Sequence, residues 1–200
     1  MTTSFSVNFD YRCPFARNAH EHVVAAVRAG ADYDVAFKAF SLSEAHTAED
    51  GISAFEDPAR RPDLLALAAG VVVRDHLPEK FLDAHLSLFA IRHDDGDDLR
   101  DEAVVRSALA RAGVDAQFVF DEIESGWPLE TVRAEHETSV KEHSAFGVPT
   151  FIASDQAVFV RLMTRPDGDG DLARRTIDRV LDTLTGYPEI NEYKHTSVPR

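Results

Sequence analysis

The period of the hydrophobic pattern switches repeatedly along this chain, and the order of the switches restricts the fold more than any single residue does. From Ser4 to Phe9 the sequence Ser-Phe-Ser-Val-Asn-Phe alternates polar and apolar at period two, which predicts a strand with one buried face. Asp10-Tyr11-Arg12-Cys13-Pro14 breaks that pattern. From Pro14 the apolar positions Phe15, Ala19, Val23, Val24 and Val27 follow helical spacing, and Gly30 supplies a stop. Tyr33, Val35, Phe37 and Ala39 alternate again. Strand, helix and strand in this order form a βαβ unit, so a parallel pair with a right-handed crossover is expected.

The middle of the chain carries a different signal. Residues 62 to 145 show helical stripes and almost no strand pattern. One stripe is Leu64, Leu65, Ala68, Val71 and Val72; a second is Phe81, Leu82, His85, Leu86 and Phe89. Val104, Val105, Ala108, Leu109 and Ala112 make a third, stopped by Gly113. Phe118, Phe120 and Ile123 predict a short fourth helix, and Leu129, Val132 and Val140 a longer fifth after Pro128. Strand signal then returns at Pro149–Ala153, followed by a turn at Ser154-Asp155-Gln156 and a partner at Ala157–Val160, a hairpin spacing. Leu172, Ile177, Val180, Leu181 and Leu184 mark a last helix ending at Gly186. An α/β fold accounts for every element: a four-stranded mixed sheet flanked by helices, with an all-helical insertion between its halves.

Composition removes several functional classes. The formal net charge of −14 leaves no basic footprint for a nucleic-acid backbone or an anionic membrane surface. The first residues, from Met1, lack a basic stretch followed by a long apolar run, so no secretory signal is read, and no segment is long enough to span a bilayer. A single cysteine among 200 residues excludes an internal disulfide framework and an all-cysteine metal site, which predicts a reducing cytoplasm.

That cysteine is the main chemical candidate. Cys13 follows a strand, and Pro14 stands at the first helical position, which proline tolerates. A thiol there faces unpaired helix N–H groups and the positive end of the helix dipole, so thiolate is expected to be favoured, with Arg12 and Arg17 adding positive potential. The bland alternative is a buried cysteine acting as a small hydrophobe. The second feature is Phe146-Gly147-Val148-Pro149-Thr150-Phe151. A proline opening a strand is either an edge device or an X-Pro cis bond, and the residues alone leave both open.

Cys13-Pro14-Phe15-Ala16, the helical block, Gly147-Val148-Pro149-Thr150-Phe151 and the closing strand-strand-helix together resemble the DsbA-type branch of the thioredoxin superfamily. The tail from Tyr187 to Pro199, with Asn191-Glu192-Tyr193-Lys194, further resembles cytoplasmic actinobacterial members that include mycothiol-dependent reductases. The resemblance implies a thioredoxin-like domain over 1–61 and 146–186, a helical insertion over 62–145 and a tail over 187–200. It implies that Cys13 attacks, that Val148-Pro149 is a cis peptide facing it, and that Arg12, Pro14, Phe15, Val148, Pro149 and Thr150 line the substrate groove. No metal and no tightly bound cofactor are implied; mycothiol or glutathione is the expected co-substrate, with a small-molecule or protein thiol or disulfide as partner and a homodimer as a possible assembly.

One departure matters. The family's usual motif has two cysteines, and position 16 is alanine. A mixed disulfide needs a second thiolate to resolve it, and here none stands in the chain. Three readings follow, in this order: a monothiol enzyme resolved by an external thiol, a relative that holds a low-molecular-weight thiol for transferase or isomerase chemistry, and an alanine introduced to trap the mixed disulfide. A binding module that has lost dithiol activity is the non-enzymatic alternative.

Other motifs carry less. Asp167-Gly168-Asp169-Gly170-Asp171 evokes a calcium loop, but the sixth position is Leu172 and the twelfth Asp178, so a polar turn opening a helix is expected. The nine histidines lack the i, i+4 spacing of a helical metal pair, and most are expected at the surface, with His20 either lining the site or solvated. Ser41 and Ser43 have no Gly-x-Ser-x-Gly elbow around them.

Overall fold

A computed structural model describes residues 2–48, 51–192 and 194–195. Met1, Tyr193 and the tail beyond His195, on which parts of the foregoing expectations fall, lie outside the described residues. The chain runs β1 (Thr3–Phe9), α1 (Pro14–Arg28), β2 (Tyr33–Ala39), α2 (Leu42–Ala45) and a 3-10 helix (Pro58–Leu64). It continues through α3 (Leu65–His76), α4 (Pro78–His93), α5 (Glu102–Arg111), α6 (Ala116–Glu124) and α7 (Trp127–His143). β3 (Thr150–Ala153), β4 (Gln156–Phe159) and α8 (Gly170–Gly186) close the domain. The five helices expected from the middle stripes are α3 to α7. The two short helical pieces before them, over Leu42–Ala45 and Pro58–Leu64, span too little sequence to show a period.

The sheet order is β2-β1-β3-β4. β1 and β2 are parallel with Phe9 opposite Ala39, while β3 runs antiparallel to both β1 and β4. This is the mixed four-stranded sheet of a thioredoxin-like fold. α1 and α8 pack together along one side, and α7 packs on β2 from the insertion.

β1 corrects the expectation of a single buried face. Phe5, Val7 and Phe9 are buried as the period-two pattern requires, but Asn8 on the opposite face is fully buried as well. Its Nδ2 donates to Ser139 Oγ of α7 at 2.9 Å. The end of the strand nearest Cys13 is therefore covered on both sides, and only its start is open.

Aspartate caps mark where four of the helices begin. Asp57, Asp101, Asp115 and Asp169 each accept a backbone N–H at the start of a helix, as short acidic caps do. The Asp167–Asp171 stretch is used in this way, with Asp169 Oδ1 accepting from Leu172 N at 2.8 Å. α1 begins instead on Cys13, whose sulfur accepts from Ala16 N. A sulfur accepts weakly, so this helix forgoes a good cap at the one position where a thiol is presented.

Candidate functional site

β1 ends in a tight turn, with Cys13 N donating to Asp10 O at 3.0 Å. Asp10 pins that turn to its neighbours. Its Oδ1 accepts from Arg12 N and its Oδ2 from Leu42 N, both at 2.9 Å, which ties the loop after β1 to the first turn of α2. Burial pushes the Asp10 carboxyl up, against the pull of Arg12 and of the two amides.

Cys13 Sγ sits between two backbone groups. It accepts from Ala16 N at 3.4 Å and donates to Val148 O at 3.3 Å, so the thiol hydrogen points at the loop that opens β3. The Val148–Pro149 peptide bond is cis. Cys13 is only 8% exposed, and burial pushes its thiol up; the amides of Ala16 and Phe15 pull it down by less, and the Asp10 charge adds to the rise. This corrects the expected preference for thiolate. The helix terminus acts in the expected direction, but desolvation outweighs it. The nearby arginines do not help, because both face carboxylates. Arg12 Nη1 lies 3.0 Å from Asp63 Oδ1, and Arg17 pairs with Glu21 and Asp94.

Of the other expected groove residues, Pro14 is exposed at the start of α1 and Phe15 is half-buried beneath the Arg161 guanidinium, 5.3 Å from the ring centre. Val148, Pro149 and Thr150 are buried opposite Cys13, and Thr150 Oγ1 turns back to donate to Gly147 O at 2.8 Å. The structure thus brings Cys13, Pro14, Phe15 and the Val148–Pro149 backbone together, while the side chains of Arg12 and Thr150 are engaged within the protein. Two residues before Val148, Phe146 is 70% exposed and leans on Phe159 with ring centres 5.1 Å apart.

The histidines are the main departure from expectation. His20, His22, His85 and His136 are buried, and His20 and His85 are wholly so. His20 is neither solvated nor at the surface of the site: its Nε2 lies 3.1 Å from Asn8 O and its Nδ1 2.9 Å from His85 Nε2. Tyr11 Oη lies 2.8 Å from His85 Nδ1. The signal in the sequence was the place of His85 inside the apolar stripe of α4. Among the described residues no cluster of three or more His, Cys, Asp or Glu is placed to hold a metal ion.

Burial lowers the His20 imidazole from 6.5 to about 4 and lowers His85 as well, the latter also through His20 and Arg74. Phe9, Phe37, Phe81 and Phe89 surround the pair, and no carboxylate faces it. A depressed folded-state value means stability that is present above 6.5 and is lost as pH falls toward 4. For His20 alone the loss is roughly 3 kcal/mol. The raised Asp10 carboxyl has the opposite sign and offsets part of this in the carboxylate range. Urea midpoints should therefore fall steadily between pH 7 and pH 4.5, and a flat midpoint over that interval would contradict the buried neutral pair.

Comparison with known proteins agrees with this geometry. The family model of the DSBA-like thioredoxin domain matches residues 6–164. The chain belongs to that family. No curated protein matches the sequence. Among solved structures, 2-hydroxychromene-2-carboxylate isomerase aligns with a TM-score of 0.63 at 12% identity, covering 90% of this chain and 97% of that one. The cytosolic disulfide reductase DsbM from Pseudomonas aeruginosa, solved with GSH, aligns at 0.59 with 17% identity, covering 89% and 98%. A probable DsbA oxidoreductase from Streptomyces coelicolor aligns at 0.58 with 13% identity, covering 96% and 93%. At these identities the likeness is one of fold. No helix among the described residues is long and apolar enough to cross a membrane.

Proposed function

We propose that this member of the family is a monothiol thiol-disulfide oxidoreductase. The Cys13 thiolate attacks a substrate disulfide, forming a mixed disulfide and releasing one substrate thiolate. An external thiol, as thiolate, then attacks that mixed disulfide, leaving with the substrate sulfur in a new disulfide and returning Cys13 as thiolate. The observation that carries the reading is the contact of Cys13 Sγ with Val148 O at the start of α1, with Ala16 where a resolving thiol would stand. Glutathione and mycothiol fit the external role, and GSH is the ligand named for the DsbM structure. A reducing cytoplasm is the compartment this chemistry suits.

The raised thiol gives the mechanism a specific requirement. A hydrogen bond from Sγ–H to Val148 O stabilises the neutral form. A substrate whose N–H pairs with Val148 O in strand fashion takes that acceptor away, so docking itself favours the thiolate. Pro14, Phe15 and the Phe146–Phe159 pair would border the docked substrate, and Arg12 would join only by releasing Asp63.

The same observation favours a second reading, in which Cys13 holds a bound low-molecular-weight thiol for transferase or isomerase chemistry. A buried neutral thiol suits that role, and the isomerase shares the fold. Intact mass after incubation with oxidised glutathione separates the two. The oxidoreductase gains one adduct, reversed by excess thiol, absent in Cys13→Ser, and forming about tenfold faster for each pH unit gained below the thiol's pKa. If Cys13→Ser retains turnover of an isomerisation or conjugation substrate while the protein takes no adduct, the second reading replaces the first.

A further inference from the structure

Helix α4, which comes from the helical block and not from the βαβ unit, grips one residue of the Cys13 turn at both ends. Tyr11 is the second residue of the turn that Asp10 O and Cys13 N close. Its hydroxyl meets His85 Nδ1 at 2.8 Å, and its carbonyl meets His93 Nε2 at 2.9 Å. His85 and His93 are eight residues apart, just over two helical turns, so both reach the turn from one side of α4.

The direction of every hydrogen bond in this chain follows from chemistry. Asn8 O can only accept, so His20 Nε2 carries a hydrogen. A neutral His20 then accepts at Nδ1, which requires His85 Nε2 to donate. A neutral His85 accepts at Nδ1, so the Tyr11 hydroxyl donates to it. Likewise Tyr11 O can only accept, so His93 Nε2 donates. One unbroken run of donors therefore leads from Tyr11 through His85 and His20 back to the backbone of β1. No member can turn round without leaving a buried polar atom unpaired. Gly70 of α3 completes the seat, since a Cβ there would stand 2.3 Å from Tyr11 Oη.

We infer that His85 and His93 are positioning residues for Cys13, acting through Tyr11, so that the helical block sets how deeply the thiol is buried and hence how fast it reacts. The inference deepens the oxidoreductase reading and rests on it for its biological meaning, although thiol reactivity can be measured without it. Alkylation of the single cysteine by iodoacetamide, followed from pH 6 to pH 10, is the test. Loosening the grip exposes the thiol, so its titration midpoint moves down toward the ordinary cysteine range. Tyr11→Phe and His93→Ala should each speed alkylation at pH 7 by at least about threefold, and His93→Gln, which keeps an N–H donor, should restore the wild-type profile. Leu109→Ala, a core truncation in α5, should lower the melting temperature without moving the profile. If Tyr11→Phe fails to fold, the half-buried His93 still decides the matter. A profile that stays in place or moves upward in His93→Ala, or one that Leu109→Ala shifts equally, overturns the inference. Absence of a glutathione adduct on the wild type at any pH would instead defeat the oxidoreductase reading and leave the alkylation result standing.

Discussion

Gly70→Ala is expected to lower stability by roughly 3 kcal/mol, although the same change in an ordinary helix interior gains about 1 kcal/mol. An added Cβ at position 70 would stand 2.3 Å from Tyr11 Oη and within 3.0 Å of two further ring atoms. A side chain with freedom would swing away, but Tyr11 has none. It is fully buried, stacked edge-on against Phe89 and His85, and its hydroxyl is the first donor of the His85–His20 chain. The ring must shift, which costs strain and leaves His85 Nδ1 buried without its donor. For a chain of this length the expected fall in Tm is on the order of 10 °C. Tyr11→Phe in the Gly70→Ala background should recover part of the loss, because it removes the closest atom and leaves the tight contact with the ring carbons. A Gly70→Ala protein that melts with the wild type would show that the seat of Tyr11 is looser than its contacts describe.

What the sequence revealed and what it hid divide along sequence separation. The sheet and its helices come from local periodicity, so Phe5, Val7, Phe9, Phe37 and Ala39 could be placed on a buried face from spacing alone. Cys13 and Pro14 could be placed at a strand-to-helix junction for the same reason. Contacts made across the fold could not be found this way. Tyr11 meets His85 from 74 residues away and His93 from 82, and Cys13 meets Val148 from 135. Nothing local distinguishes a buried histidine from a solvated one, yet His85 sits where the α4 stripe demands an apolar side chain, and Gly70 is a glycine in the interior of α3, where helix propensity disfavours it. Each departs from its local pattern, and both departures converge on Tyr11. The thiol's pKa was hidden for a further reason. The helix terminus that favours thiolate is readable from Pro14, whereas the desolvation that opposes it depends on walls drawn from the whole chain.

Ala16→Cys is expected to convert the protein into a dithiol enzyme, with insulin reduction by dithiothreitol rising at least about tenfold over the wild type. Positions 13 and 16 lie three apart at the first turn of α1, where such neighbours share a face. Ala16 N already approaches Cys13 Sγ to 3.4 Å. The Ala16 side chain is fully buried, so the introduced thiol would be shielded from outside nucleophiles while remaining beside the mixed disulfide. Resolution then becomes intramolecular and no longer waits for an external thiol. Two measurements accompany the rate. Thiol titration after brief oxidation should find both sulfurs lost in a monomeric product of unchanged chain mass apart from two hydrogens. Urea unfolding should show a loss of about 1–3 kcal/mol in the reduced form, the usual cost of enlarging a packed site. If the glutathione adduct on Cys13 instead persists in the variant, with the second thiol still titratable, the first turn of α1 does not bring the two sulfurs together. The outcome at position 16 therefore measures the geometry of the turn.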